Sequence, residues 1–522
     1  MGIWRTRLAG VVVAALFVAL APPLSASAAV QARQADAFVD SIGIGVHLAY
    51  SDTPYVSQFT TVRERLEELG VRHLRDDLYP ARSDQYARLE ALAAAGVGST
   101  LILGSPSNGS AGLEGLLDVA AGLDGVEALE GPNEYSTMGG DPNWIANLTA
   151  YQEQLYADAK ADPQLAALPV VGPSIVHGDQ DELGDVSAHL DRGNIHSYPQ
   201  GDPPDKLKNA IERAELNSDE KPIWATETGY HNALAWTGEN KPVPEDVAAT
   251  YMPRLFLEYW RWGIQRTFAY ELLDQFPEPA GAEAESHFGL LRNNLARKPA
   301  FEALRNTIAI LADPGAPFAP AALDYALSEG GVPLAGAESP GLHKVLLQKR
   351  DGSFYLALWR TTSVWDPDSA TPIAAPGAAV ELATEPPLGS VSIYRPNAGA
   401  EPISTSVAPS QPFSVEIGPA VTILRLVPSS PGLPSPPLQP QIEIPLQPPP
   451  PPPPEPTVRC TVPRLQGRTV AGARAALRGH HCLLGTVRGK RGGSARVVQQ
   501  WPRPGRLLAQ NASVSVKIRL NG

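Results

Sequence analysis

The sequence predicts a (β/α)8 barrel of the TIM type followed by a small β-sandwich, and three observations carry that prediction. Between residues 40 and 312, apolar strand-like runs alternate with amphipathic helical stretches, eight of each. Eight such units over about 270 residues match the size of a closed parallel barrel. From 315 to 427 the alternation stops, and short strands follow one another with no helix between them.

The barrel strands are read from "SIGIGVHLAY" (41–50), "VRHLRDD" (71–77), "GVGSTLILG" (96–104) and "VEALEGPNE" (126–134). They continue through "LPVVGPSI" (168–175), "GNIHSYP" (193–199), "PIWATETGY" (222–230) and "RTFAYELL" (266–273). Helical patterns such as "FTTVRERLEELG" and "DQYARLEALAAAG" separate them, and "ARKPAFEALRNTIAIL" closes the series. A doubly wound open sheet is the alternative. It carries a glycine-rich phosphate loop after its first strand, and "GIGVHLAYSD" does not continue into G-x-G-x-x-G. In the second unit, "HKVLLQKRDGSFYLALWR" reads as a hairpin about Asp351-Gly352. "GSVSIYRP" and "PFSVEIGPAVTILRLV" add further strands, so a β-sandwich is expected over 315–427.

The chain has 522 residues, 43% hydrophobic and 19% charged, which suits two to four domains with buried cores. Its ends belong to neither unit. Arg5 and Arg7 precede the apolar run "LAGVVVAALFVALA", and "ASA" at 26–28 offers a small-residue cleavage site. That pattern predicts a secretory signal peptide over 1–29, and the run is short for an uncleaved anchor. No later segment is apolar enough to span a bilayer, so an exported protein is expected. Residues 428–456, "PSSPGLPSPPLQPQIEIPLQPPPPPPPEP", build no core and predict an extended proline-rich spacer.

Cys460 and Cys482 are the two cysteines. Outside the cytoplasm such a pair favours a disulfide over a metal site, which wants four ligands, and C-x-x-C redox spacing is absent. The net charge of -13 is unevenly spread. Residues 457–522 hold thirteen Lys or Arg and no Asp or Glu, so the acidic excess lies entirely in the body. An acidic body and a basic tail imply two different partners, and nucleic acid is a weak candidate for an exported chain.

A barrel active site lies where strands end at the C-terminal face. Polar residues gather at four such ends: Arg75 and Asp76 in "HLRDD", Asn133 and Glu134 in "EGPNEY", His196 and Tyr198 in "IHSYP", and Glu227 in "WATETGY". His47 in "GIGVHLAY" and Tyr270 in "RTFAYELL" extend the set to strands one and eight. Each acid alone reads better as a solvated loop residue, and Glu130 as a buried support. Two glutamates at strands four and seven, one behind Asn, point instead to convergent carboxylate chemistry. The acidic loop "HGDQDELGD" (177–185) fits no calcium-loop spacing and reads as a helix start, so no metal or cofactor is expected.

As a set, "EGPNEY", "WATETGY", "IHSYP" and "HLRDD" resemble the signatures of the clan A glycoside hydrolases, with families 5 and 39 nearest. "HFGLLRNNLARKPAFEAL" (287–304) resembles the segment after strand eight in those enzymes, so the likeness spans residues 40–312. The resemblance implies that Glu134 is the general acid/base and Glu227 the nucleophile of a retaining O-glycosidase acting on a carbohydrate. It implies that Asn133 meets the sugar 2-hydroxyl, that Tyr198 donates to Glu227, and that Arg75 keeps Glu227 ionised. Clan members carry a Trp at the end of strand eight; this chain has Tyr270 there. Trp144, Trp224 and Trp236 offer other stacking surfaces or simple packing.

The tail reads as strand, turn, helix and two strands, with "VPRLQG", "TVAGARAALRGH", "ARVVQQWPRPG" and "SVSVKIRL" in that order. Over 457–522 it resembles an α+β PASTA domain, with "QQWPRPG" at the family's Gln-x-Pro-x-x-Gly turn. The resemblance implies a link from the first strand to the helix end through Cys460 and Cys482. It also implies contact with cell-wall peptidoglycan, and the basic face suits an anionic wall polymer. A non-catalytic wall- or carbohydrate-binding protein on a degenerate barrel is the rival from another class, and an inverting hydrolase the rival mechanism.

Overall fold

The computed structural model describes residues 29–138, 140–176, 178–334, 341–429, 460–489, 495–502, 504–505, 507–508 and 512–520. The leader, the proline spacer from residue 430 onward and His177 lie outside the described residues.

Eight strands form the barrel: β1 (Ile42–Gly45), β2 (His73–Asp77), β3 (Gly98–Ile102), β4 (Val126–Glu130), β5 (Val170–Val171), β6 (Gly193–His196), β7 (Ile223–Thr228) and β8 (Arg266–Ala269). Their hydrogen-bonded order is β5-β4-β3-β2-β1-β8-β7-β6, all parallel, and a bridge between Val171 and Arg192 joins the two ends into a ring. β1 and β3 are buried at every position, which is why they read as apolar runs rather than alternating ones.

The helices after these strands are α1 (Phe59–Leu69), α2 (Ser83–Ala94), α3 (Gly109–Ala120), α4 (Trp144–Ala161), α5 (Gln180–Leu183), α6 (Lys208–Ser218), α7 (Glu245–Arg261) and α8 (Pro299–Leu311). The fifth is a single turn rather than a full helix. Its sequence, "GDQDELGD", has one apolar residue and glycines on both sides, so it cannot bury a face. Among the described residues no helix is long and apolar enough to cross a membrane.

Inside the ring, Ala128, Val171, Trp224 and Phe268 form an apolar layer. Trp224 is buried there, 6.4 Å from the Phe268 ring and beneath the Arg266 guanidinium at 4.7 Å, so it is core and not a sugar platform. At the N-terminal ends of the strands, His73 bonds Glu127 at 2.5 Å and Asp40 at 3.2 Å. The floor is therefore sealed by charge pairing, and the opposite end is left for chemistry.

The second unit packs two antiparallel sheets. One holds β9 (Ala322–Glu329), β12 (Ala378–Glu385) and β15 (Phe413–Ile417). The other holds β10 (Leu342–Gln348), β11 (Phe354–Arg360), β13 (Leu388–Tyr394), β14 (Ser404–Val407) and β16 (Thr422–Pro428). The β10–β11 hairpin turns at Asp351-Gly352, where Gly352 takes φ 84°. Residues 30–34 add a strand to each sheet before the chain enters the barrel, pairing Val30 with Leu323 and Arg33 with Leu347. Sequence patterning missed this tie because two-residue strands carry no period.

The two units share one core. Val345, Leu347, Tyr355, Trp359 and Ile423 of the sandwich belong to the same apolar cluster as the barrel helices. Glu258 of α7, fully buried, accepts from Trp359 Nε1 at 2.8 Å and from His343, while Arg261 Nε holds its other oxygen at 2.9 Å. Farther on, α9 (Val470–Gly479) packs on a small sheet in the order β17 (Leu483–Arg488), β19 (Ser513–Leu520), β18 (Ala495–Trp501). Cys460 and Cys482 are disulfide-bonded within its core.

Candidate active site

The C-terminal end of the barrel gathers carboxylates around one guanidinium. Arg75, on β2, points inward and is 5% exposed. Its Nε and Nη2 make a bidentate pair with Glu130 on β4, both at 2.9 Å. Nη1 reaches Glu227 Oε2 on β7 at 2.9 Å, and Nη2 also reaches Asn133 Oδ1 at 2.6 Å. Burial alone would loosen the Arg75 proton, but Glu130 and Glu227 outweigh it and hold the group firmly cationic. A planar fork of five donors is the side chain that serves three acceptors at once.

Glu227 has its second oxygen engaged as well, since Tyr198 Oη donates to Oε1 at 2.5 Å. Burial and the charge of Glu227 push the Tyr198 hydroxyl well above its ordinary range, so it stays a donor. Across the mouth, Glu134 Oε1 lies 2.7 Å from His196 Nδ1. Oxygens of Glu134 and Glu227 and a ring nitrogen of His196 all lie within 4.8 Å of one another. The two carboxylates, 93 positions apart in the chain, therefore face each other.

The backbone explains how Glu134 gets there. β4 stops at Gly131, where a Cβ would stand 2.2 Å from Gln152 Oε1 and 2.9 Å from Pro173 N, so only glycine allows the close approach of the β5 loop. Pro132 ends the ladder, and Glu134 takes φ 44°, a left-handed conformation that costs a non-glycine residue about 1–3 kcal/mol. Ser174, buried in the β5 loop, fixes it by accepting the Glu134 N–H at 2.9 Å.

A second tier supports the first. Thr226 Oγ1 is 2.9 Å from Glu130 Oε1, 2.8 Å from Asn194 Oδ1 and 3.0 Å from His196 Nε2. Asn194 Nδ2 donates to Glu130 Oε1 at 3.2 Å. The sequence reading did not single out Ser174, Thr226 or Asn194, since single small polar residues carry no pattern of their own.

On the far wall, His47 stacks on Tyr50 at 4.5 Å and meets Tyr270 edge-on at 5.7 Å. Burial pulls His47 down to about 4, so it is neutral near neutral pH. Tyr270 donates to Glu285 at 2.9 Å and packs against Phe288. Glu271 is fully buried behind them, receiving Tyr55 and Gln275, and burial pushes its carboxyl well above the usual range. Asp76 does not join the site: it faces the helix layer, where Gln85 donates to it at 2.9 Å. Its neighbour Asp77 lies on the same side of the strand as Arg75. Trp144 packs against the apolar group of Tyr135 and Leu148.

Glu134, His196 and Glu227 have metal-ligand atom types, but they fit a cation poorly. Both Glu227 oxygens are already taken, one of them by a guanidinium that would repel a metal ion.

In structure, the chain is similar to a family 39 glycoside hydrolase from Bacteroides cellulosilyticus WH2, with a TM-score of 0.51 and 15% identity over 76% of this chain and 81% of that one. A glucosidase from Croceicoccus marinus gives a TM-score of 0.49 at 10% identity, over 71% of this chain and 92% of the other. No protein-family model matches the chain, and no curated protein matches it in sequence. The family 39 likeness is one of fold, and it extends beyond the barrel alone.

Replacing Arg75 by Met strands Glu130 and Glu227 as buried charges, and the expected loss is about 3–5 kcal/mol of stability. Arg75→Lys keeps the charge but not the fork and recovers only part of it. Urea denaturation of both variants checks this; an unchanged midpoint for Arg75→Met contradicts it.

Proposed function

We propose that this chain is an exported glycosidase that hydrolyses O-glycosyl bonds by double displacement with retention. The observation that carries the reading is the meeting of Glu134 and Glu227 oxygens within 4.8 Å at a barrel's C-terminal end. Retaining enzymes need their carboxyl groups about 5–5.5 Å apart, whereas inverting enzymes leave about 6.5–9.5 Å for a water. The gap favours direct attack by a carboxylate.

In the first step Glu227 attacks the anomeric carbon while Glu134 gives its proton to the departing oxygen, and a glycosyl ester forms on Glu227. In the second, Glu134 takes a proton from water as the water displaces Glu227, and the free sugar leaves. Arg75 and Tyr198 keep the nucleophile charged and aimed. Asn133, its oxygen held by Arg75, is placed to meet the 2-hydroxyl.

The proton assignment of Glu134 has a structural rationale in His196. Thr226 gives its single proton to Glu130 or Asn194, so it presents a lone pair to His196 Nε2. That puts the neutral ring's proton on Nε2 and leaves Nδ1 as an acceptor for a protonated Glu134. His47 and Tyr270 line the floor of the cleavage subsite in place of the missing Trp. No cofactor is required by this chemistry.

Export rests on the leader sequence. Attachment to the wall rests on the basic PASTA-like tail, whose partner would be peptidoglycan or an anionic wall polymer.

Two experiments test these readings. A panel of 4-nitrophenyl glycosides and wall polysaccharides should yield a substrate, and Glu134→Gln and Glu227→Gln should each lower kcat by about a thousandfold or more. A parent that turns over no glycoside leaves the non-catalytic binder standing, and variants as active as the parent remove Glu134 and Glu227 from the mechanism. For the tail, the full chain should co-sediment with purified walls and a chain ending at residue 429 should not; equal sedimentation removes the tail from the account.

A further inference from the structure

We propose that Asp77 selects the sugar in the cleavage subsite, accepting hydrogen bonds from the hydroxyls of an uncharged glycone and turning away a glycone that bears a carboxylate. The inference rests on the glycosidase reading and carries it to a substrate class.

Asp77 is the last residue of β2, two positions beyond Arg75, so the pleat directs both into the barrel mouth. It is partly exposed and within reach of a ligand. Its carboxyl feels the charges of Arg75, Glu130 and Glu227, and the hydroxyls of Tyr50 and Tyr79 feel its charge in turn. Asp77 thus stands on the β1–β2 wall beside the nucleophile.

What sets it apart is that its carboxylate has no hydrogen-bond partner among the described residues. Glu227 has Arg75 and Tyr198, Glu134 has His196, Glu271 has Tyr55 and Gln275, and Glu285 has Tyr270. No hydrogen bond to the Asp77 carboxylate occurs among the described residues; Gln85 bonds its backbone carbonyl instead. Burial has already raised the group to about 6. A desolvated acceptor with no internal donor is suited to donors brought by a ligand, and a sugar in a subsite is lined with them.

Charge supplies the exclusion. Among the described residues the cation whose charge reaches Asp77 is Arg75, and that guanidinium is committed to Glu130, Glu227 and Asn133. His47, on the same wall, is neutral. A carboxylate on the glycone would face Asp77 and Glu227, with Arg75 already committed among the described residues.

The test uses the full chain and 4-nitrophenyl glycosides of both anomers: glucosides, galactosides, mannosides, xylosides and glucuronides. The parent should turn over a neutral member and discriminate against the uronide. Asp77→Ala should lower kcat/KM for the neutral substrate by roughly 10- to 100-fold. Asp77→Asn, which keeps an acceptor but not the charge, should narrow the discrimination against the uronide at least tenfold. With deoxy analogues of the preferred substrate, removing the hydroxyl that Asp77 holds should abolish the penalty of Asp77→Ala. Both variants change a carboxylate that bonds no described residue, so their melting temperatures should match the parent and serve as the folding control. A neutral substrate hydrolysed normally by Asp77→Ala, or a parent that prefers the uronide, overturns the inference while leaving the glycosidase reading intact. A parent that hydrolyses no glycoside overturns both.

Discussion

One guanidinium holds the mouth of this barrel together. Arg75 spans β2, β4 and β7 and the β4 loop by bonding Glu130, Glu227 and Asn133. Without that charge, two carboxylates would lose the cation they share, and a buried charge without a partner either protonates or destabilises the fold. The pairing sets a division of labour. Glu130 is buried and bidentate, and so serves as the counter-ion. Glu227 takes one Arg75 nitrogen and the Tyr198 hydroxyl, and so is oriented by both. Glu134 is paired with His196. Three carboxylates in one mouth are told apart by their partners.

The scaffold contributes rigidity on each side. At the strand starts, His73, Glu127 and Asp40 close the barrel floor. On the flank, the sandwich shares its core with the helix layer, and residues 30–34 pair with both of its sheets. The left-handed turn at Glu134 is held within this frame by Ser174 and by the glycine contact at position 131. Strain at that residue is a local cost that the surrounding packing can bear.

The strands and the main acids were legible in the sequence because each has a pattern. Apolar runs at regular spacing mark a parallel barrel, and Glu134 follows the end of β4 while Glu227 is next to last in β7, beside turn residues. Other features had no such mark. Asp76 and Asp77 are adjacent acids, and deciding which enters the mouth requires knowing which face Arg75 takes. Trp224 could be floor or platform until Phe268 and Arg266 were seen packed on it. Thr226, Asn194 and Ser174 act through three-dimensional contacts with Glu130, His196 and Glu134, and their own neighbours in sequence say nothing of those.

The central claim is that Glu134 and Glu227 divide acid and nucleophile roles across a gap too narrow for an attacking water. The most direct measurement is proton NMR of the anomeric signal of the first sugar released from a hydrolysed glycoside, recorded before mutarotation. The account predicts that the initial product keeps the anomeric configuration of the substrate; an initial product of opposite configuration would contradict it.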